Sequence, residues 1–258
     1  MKKETWKLEE ISADILSKDL SSHNMNMREK AEEALIKMGE VSLDSMEKII
    51  KGDSSPVAKL GAISVLKEIK SKRSIIILLE ALGDSRIQIR KKACAVIGEI
   101  ESEESIPYLI DMLKLVNPDI RNSAQTALRL IGITSVNPLL NSILKGHIRQ
   151  MQSAEDIIMS MGEEVTGLLM EKTEDKNNLM KALAVEFLGK LKYEKALEKI
   201  VYLLKNDRSV IVKQACIKAL GEIGVTSVRK EILGFLENES IYLKETALEA
   251  LRKLSREE

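Results

Sequence analysis

Apolar residues recur along this chain at the helical spacing i, i+3, i+4, i+7, and the same stretch of pattern returns at a near-constant interval. Residues 89–101, IRKKACAVIGEIE, and 212–224, VKQACIKALGEIG, are two copies of it. With Ala93 as reference, equivalent small residues stand at Ala31, Ala62, Ala93, Ala124, Ala154, Ala184, Cys216 and Ala247, at gaps of 31, 31, 31, 30, 30, 32 and 31 residues. Four positions earlier comes an apolar or small residue (Met27, Ala58, Ile89, Ile120, Met180, Val212, Leu243), with Gln150 as the exception. Three earlier comes a basic one (Arg28, Lys59, Arg90, Arg121, Lys181, Lys213, Lys244), with Met151 as the exception. Leu or Ile follows at +4, and Met, Ile or Leu at +7. These offsets fall on one face of an α-helix.

A second helical pattern follows each of the first seven, as in IPYLIDML (106–113), VNPLLNSIL (136–144), VTGLLM (165–170) and LEKIVYLL (197–204). The predicted unit is a helix A of about four turns, a short connection and a helix B. Asp53, Asp84, Asp175, Asp207 and Asn238 stand where the next helix A begins, suited to capping. Gly52, Gly83 and Gly146 supply turns just before, and Gly98, Gly132, Gly162, Gly189, Gly221 and Gly224 recur late in helix A. Residues 5–20, with Leu8, Ile11, Ile15, Leu16 and Leu20, read as a lone helix B over the first repeat, and the last unit stops after helix A, which makes sixteen helices. The recurring small residue lets neighbouring helix axes approach closely. A leucine there would overpack the joint at about 1–3 kcal/mol.

The pattern Asp53…Lys59-x-x-Ala62…Val65-Leu66 and Asp84…Arg90-x-x-Ala93…Val96-Ile97-Gly98-Glu99-Ile100 resembles HEAT repeats. It is similar in particular to the short HEAT-like type of phycobilisome lyase subunits and many archaeal and bacterial proteins, and the resemblance covers residues 22–255. It implies an all-α fold, a right-handed α-solenoid (superhelix) of about eight HEAT-like helical hairpins, with A helices convex and B helices lining a concave face. The expected organisation is a single domain over 1–258: an N-terminal capping helix (1–21), seven two-helix repeats (22–238) and a C-terminal capping helix (239–258). The resemblance also implies a polar ladder between repeats, carried by Asp53/Lys59, Asp84/Arg90, Asp175/Lys181 and Asp207/Lys213. It fails in the fourth repeat, where Leu115 holds the acidic position, and in the fifth, which has Lys145 and Met151.

Composition narrows the functions. Forty Lys and Arg balance forty Asp and Glu, and aromatics are only 3% of the 258 residues. Nucleic acid is therefore disfavoured as a partner, for want of both a basic excess and stacking rings. The two cysteines, Cys94 and Cys216, form no CxxC pair, which suits a reducing cytosol. No apolar h-region follows the first basic residues and no uninterrupted apolar run approaches a bilayer span, so a cytoplasmic protein without a membrane partner is expected.

Candidate chemistry is sparse. HNMNM (23–27) offers His23, Met25 and Met27 to a soft metal, but Met27 occupies a core position of the repeat, and no metal site is expected. Both cysteines lie in A helices where the repeat calls for small buried residues, which makes a thiol inert. HEAT-like hydroxylases would hold iron through several His-Glu pairs, and this chain has no His-Glu dipeptide. No catalytic residue, cofactor or small-molecule substrate is expected.

Binding is then left to the B helices. Residues flanking their buried pairs place Ile76, Glu80, Tyr108, Asp111, Asn141, Met170, Lys199 and Tyr202 on the inner surface as candidate binding residues. The same alignment puts Glu47, Lys48, Ile77, Asn137, Glu198 and Lys230 there, with packing against neighbouring B helices as the competing role for Ile76 and Ile77. The expected function is a non-enzymatic protein–protein interaction scaffold or adaptor that binds a partner protein or peptide on its concave face. The alternative is a lyase-like or accessory subunit of an enzyme, of the phycobilisome-lyase type.

Loss of the acidic/basic pair and a shortened helix B containing Gly167 set the fifth repeat apart and predict a bend or softer joint near residues 145–175. Amide hydrogens there are expected to exchange faster than in the flanking repeats. Equal protection would remove that expectation.

Overall fold

The structure, a computed structural model, describes residues 12–100, 103–237 and 240–255. Leu8, Ile11 and Asn238 lie outside them. Every regular element among the described residues is helical. The chain divides into two compact units, Met1–Pro138 and Leu139–Glu258.

The first unit opens with a helix α1 over residues 12–19. It continues through α2 (Met25–Met38), α3 (Leu43–Lys51), α4 (Pro56–Ile69), α5 (Lys72–Ala81), α6 (Ile87–Ile100), α7 (Ile106–Met112) and α8 (Pro118–Ile131). The unit boundary falls within α9 (Val136–Leu144). The second unit contains α10 (Ile148–Ser160), α11 (Thr166–Lys172), α12 (Asn178–Lys190), α13 (Leu197–Asn206), α14 (Val210–Ile223), α15 (Arg229–Leu233) and α16 (Ile241–Leu254). That makes sixteen helices among the described residues, in the predicted A–B order.

Within each unit the helices stack in two layers. A helices pack on A helices (α2 on α4, α4 on α6, α6 on α8; α12 on α14, α14 on α16), and the B helices α3, α5, α7, α11, α13 and α15 each pack on the A helix that follows. The small-residue column is the seam: all eight of its members are buried, seven alanines and Cys216, and so are all eight residues four positions later. Two apolar positions depart from expectation. Met27 is exposed, α2 packing on a single A helix, α4, among the described residues, and Ile15 is exposed on α1. α1 is held instead by Ala13 and Leu20 in the core and by Asp14, which accepts from Ser45 Oγ at 2.7 Å and Lys48 Nζ at 3.0 Å. Pro118–Leu144 has the length and hydropathy of a membrane span, yet half of it is buried. It is two helices, broken where Gly132 turns at φ +74°.

The glycines divide into two working groups. Eight positions after the small residue, helix A gives way to the turn before helix B through a backbone of positive φ at Gly39, Lys70, Gly132, Gly162, Lys192 and Gly224. That is every copy described except the last, which ends the chain. Glycine adopts this region freely, whereas the two lysines hold it at a cost. Gly52 and Gly83 do not have positive φ, so of the three predicted turn glycines only Gly146 supplies left-handed backbone. Five positions after the small residue, Gly98, Gly189 and Gly221 instead permit close approach. A Cβ on Gly189 would lie 2.5 Å from Ala219 Cα, and one on Gly221 2.8 Å from Ala250 Cβ.

The caps sit two residues later than predicted. Asn24, Ser55, Asn117 and Asn177, all seven positions before the small residue, accept backbone N–H groups from the first turn of helix A. The aspartates prepare that turn: Asp84, Asp175 and Asp207 each accept the N–H two residues on. Asp84 and Asp207 also form the ladder, whose pairs run from one repeat to the next, whereas Asp175 faces only Lys172 of its own turn among the described residues. Lys59 Nζ reaches Asp84 Oδ2 at 2.7 Å and Lys181 Nζ reaches Asp207 Oδ2 at 2.6 Å. The arginines of the same column fold back on carbonyls six residues earlier: Arg28 on Ser22, Arg90 on Asp84 and Arg121 on Leu115. In the fifth repeat the exception Gln150 is buried, and α11, at seven residues, equals α7 and exceeds α15, so a short helix B does not distinguish that repeat.

Two outcomes follow. Gly189→Ala must push α12 off the backbone of α14 and is expected to cost about 1–3 kcal/mol, whereas Gly167→Ala, with open space around it, is expected to stabilise α11 by up to about 1 kcal/mol. Denaturant titration compares them. Asp84, its side chain only 5% exposed, is held below its ordinary 3.8 first by the Arg86 guanidinium and, against the upward push of burial, by Lys59. The unfolded chain takes up that proton first as pH falls, so the stability is complete above 3.8 and is lost as pH drops toward the lower folded value. Between about pH 5 and pH 2 the wild type should lose stability more steeply than Asp84→Asn, which should itself start about 3 kcal/mol lower with Lys59 left unpaired.

Candidate functional site

The fourth repeat breaks the ladder and opens a groove. At the joint where an aspartate would receive the basic side chain of the preceding repeat, the chain has Leu115. There Arg90, like the other arginines of its column, donates to carbonyls behind it, those of Asp84 and Ser85 at 2.8 and 3.0 Å, and it reaches Asp119 only at 3.5 Å. On the B side, α5 packs on α3 and α6 while α7 packs on α8. An open groove of about 510 Å³ lies between α5, α7 and the start of α8.

Helical periodicity decides what faces it. In α5, whose first turn is capped by Ser71, burial of Ile75, Ile77 and Leu78 leaves Ile76 (41% exposed) and Glu80 outward, one turn apart. In α7, burial of Ile106, Leu109 and Ile110 leaves Tyr108 (47% exposed) and Asp111 outward. Leu79, Met112, Leu115 and Ile120 complete an apolar lining. The charged groups in the lining are the carboxylates of Glu80 and Asp111, with no lysine or arginine among them. Asp111 accepts from the exposed Lys114 at 2.6 Å. Glu80 has no ion-pair partner among the described residues.

Of the eight predicted binding residues, the groove brings together four: Ile76, Glu80, Tyr108 and Asp111. The other four belong to the second unit, where Tyr202 on α13 is exposed, with Lys199 Nζ 5.9 Å from its ring centroid. Lys199 also reaches Glu174 at 2.7 Å, Met170 is half-buried on α11, and Asn141 is exposed on α9. Ile77 is 2% exposed and belongs to the core, since its neighbour Ile76 takes the outward position of the turn. Glu47 and Lys48 are engaged within the first unit, Glu47 by Lys51 and Arg73 and Lys48 by Asp14. Leu79, Met112, Leu115 and Ile120 were not assigned to a binding surface from the sequence. The signal that could have found them was Leu115 in the acidic column.

Burial withdraws the thiols from nucleophilic chemistry. It pushes Cys94 up to about 11 and Cys216 to about 12, and Cys94 Sγ donates to the Ser123 carbonyl at 3.1 Å. Among the described residues no three His, Cys, Asp or Glu side chains cluster as metal ligands would.

The fold and groove define a protein of stacked helical hairpins with an apolar surface slot. The sequence model of HEAT repeats matches residues 43–129, which include α5, α7 and the whole groove. No curated protein matches the chain. Among solved structures it is similar to human deoxyhypusine hydroxylase in complex with glycerol (18% identity, TM-score 0.38, covering 97% of this chain and 98% of that one). It is also similar to the CpcE–CpcF complex of phycocyanin lyase from Nostoc sp. (18%, TM-score 0.36, 95% and 94%) and to YibA of E. coli (18%, TM-score 0.37, 99% and 97%). With TM-scores under 0.4, these likenesses assign no function.

Proposed function

We propose that this chain is a non-enzymatic interaction scaffold that captures a partner protein or peptide through the outward faces of its B helices. The observation that carries the reading is the groove between α5 and α7: apolar, open and roofed on one side by an exposed tyrosine. Its volume falls in the range of about 300–1,000 Å³ usual for binding sites. Tyr108 and Tyr202, one in each unit, offer apolar area and a hydroxyl at small entropic cost, which suits them to interfaces. If the captured partner proves to be an enzyme, the chain is its accessory subunit.

Affinity capture from native extract tests the proposal. Tyr108→Ala with Tyr202→Ala is expected to abolish recovery of the partner while thermal unfolding stays within about 1 °C of wild type, because neither side chain fills the core. Undiminished recovery by the double variant would overturn the assignment to the B-helix faces.

A further inference from the structure

We propose that the α5–α7 groove selects a partner segment with a leucine-sized apolar side chain flanked by lysine or arginine. The inference rests on the scaffold reading and names the chemistry of its ligand. Three observations carry it. The apolar lining is aliphatic apart from Tyr108, with Leu115 standing where the ladder elsewhere places an aspartate, so the groove accepts a side chain that needs no hydrogen bond. The charged lining groups are two carboxylates, from opposite walls, in a chain whose lysines and arginines equal its acids in number. Neither carboxylate is committed: Glu80 has no ion-pair partner among the described residues, and Asp111 holds only an exposed lysine three residues along its own helix. Exposed pairs of that kind are weak and exchangeable. A ligand cation therefore finds two acceptors at the edge of an apolar slot, where a ligand carboxylate would face two groups of its own sign.

The test uses the full chain with 13C-labelled isoleucine methyl groups and two synthetic peptides, acetyl-GKLLKG-amide and acetyl-GELLEG-amide. The lysine peptide is expected to shift the Ile76 and Ile120 methyl resonances in a saturable way, binding about tenfold or more tightly than the glutamate peptide. Glu80→Lys with Asp111→Lys should reverse that order. Both positions are exposed, so the variant keeps its fold, which the unshifted core methyls of Ile63 and Ile97 report. Equal affinity for the two peptides overturns the proposal, as does saturable binding that leaves Ile76 and Ile120 unmoved, or no shift up to the solubility of the lysine peptide. Self-association of the chain alone, reversed by the charge-swapped variant, would put a second copy in the groove and overturn it too. The scaffold reading fails separately. If partner capture survives the double tyrosine variant, that reading falls even where the lysine peptide binds as expected. If the peptides show no charge preference while capture still needs the tyrosines, only the ligand chemistry falls.

Discussion

Close contact between successive A helices is the constraint on which everything else here depends. Eight compact residues, spaced by about one repeat, lie buried along the seams of the two units, and three glycines let the axes approach still further where a single methyl would strike the next helix. Once the seam fixes the A helices, each B helix has one way to cover the apolar face behind it. Its own outward residues are left over. The groove is made of such leftovers, together with one joint where the polar fastening is missing.

That division of labour explains how the ladder operates. A buried lysine–aspartate contact across a repeat boundary fixes register because breaking it strands a charge. The arginines achieve a related end differently, since the guanidinium fork can satisfy carbonyls of the preceding loop without any carboxylate. Arg90 shows that a repeat can forgo the acid and stay folded. The acidic column is thus free to vary where the small-residue column is not.

Much of this was legible from residue order. The period, the sixteen helices and the buried seam follow from side-chain size at fixed offsets, because helical geometry converts spacing into a face. Met27 and Ile15 read as core because periodicity is blind to which repeat stands at the end of a stack. The caps at Asn24, Ser55, Asn117 and Asn177 were as regular as the aspartates that drew notice. The aspartates lie two residues too early and serve the turn instead. Ile76, Glu80, Tyr108 and Asp111 could be placed outward from their own helices, but that they share a groove could not, since it depends on how far α5 and α7 stand apart. Leu115 was visible as a lapse in the ladder. Its meaning needed three dimensions.

Leu115 occupies a column the core does not require, so the residue there can change without disturbing the seam. A gene that grows by duplicating thirty-one-residue segments can therefore acquire a new receptor position without disturbing the hydrophobic pattern that makes each copy fold. Ligand preference in such a lineage would drift at the loops while the seam stays unchanged.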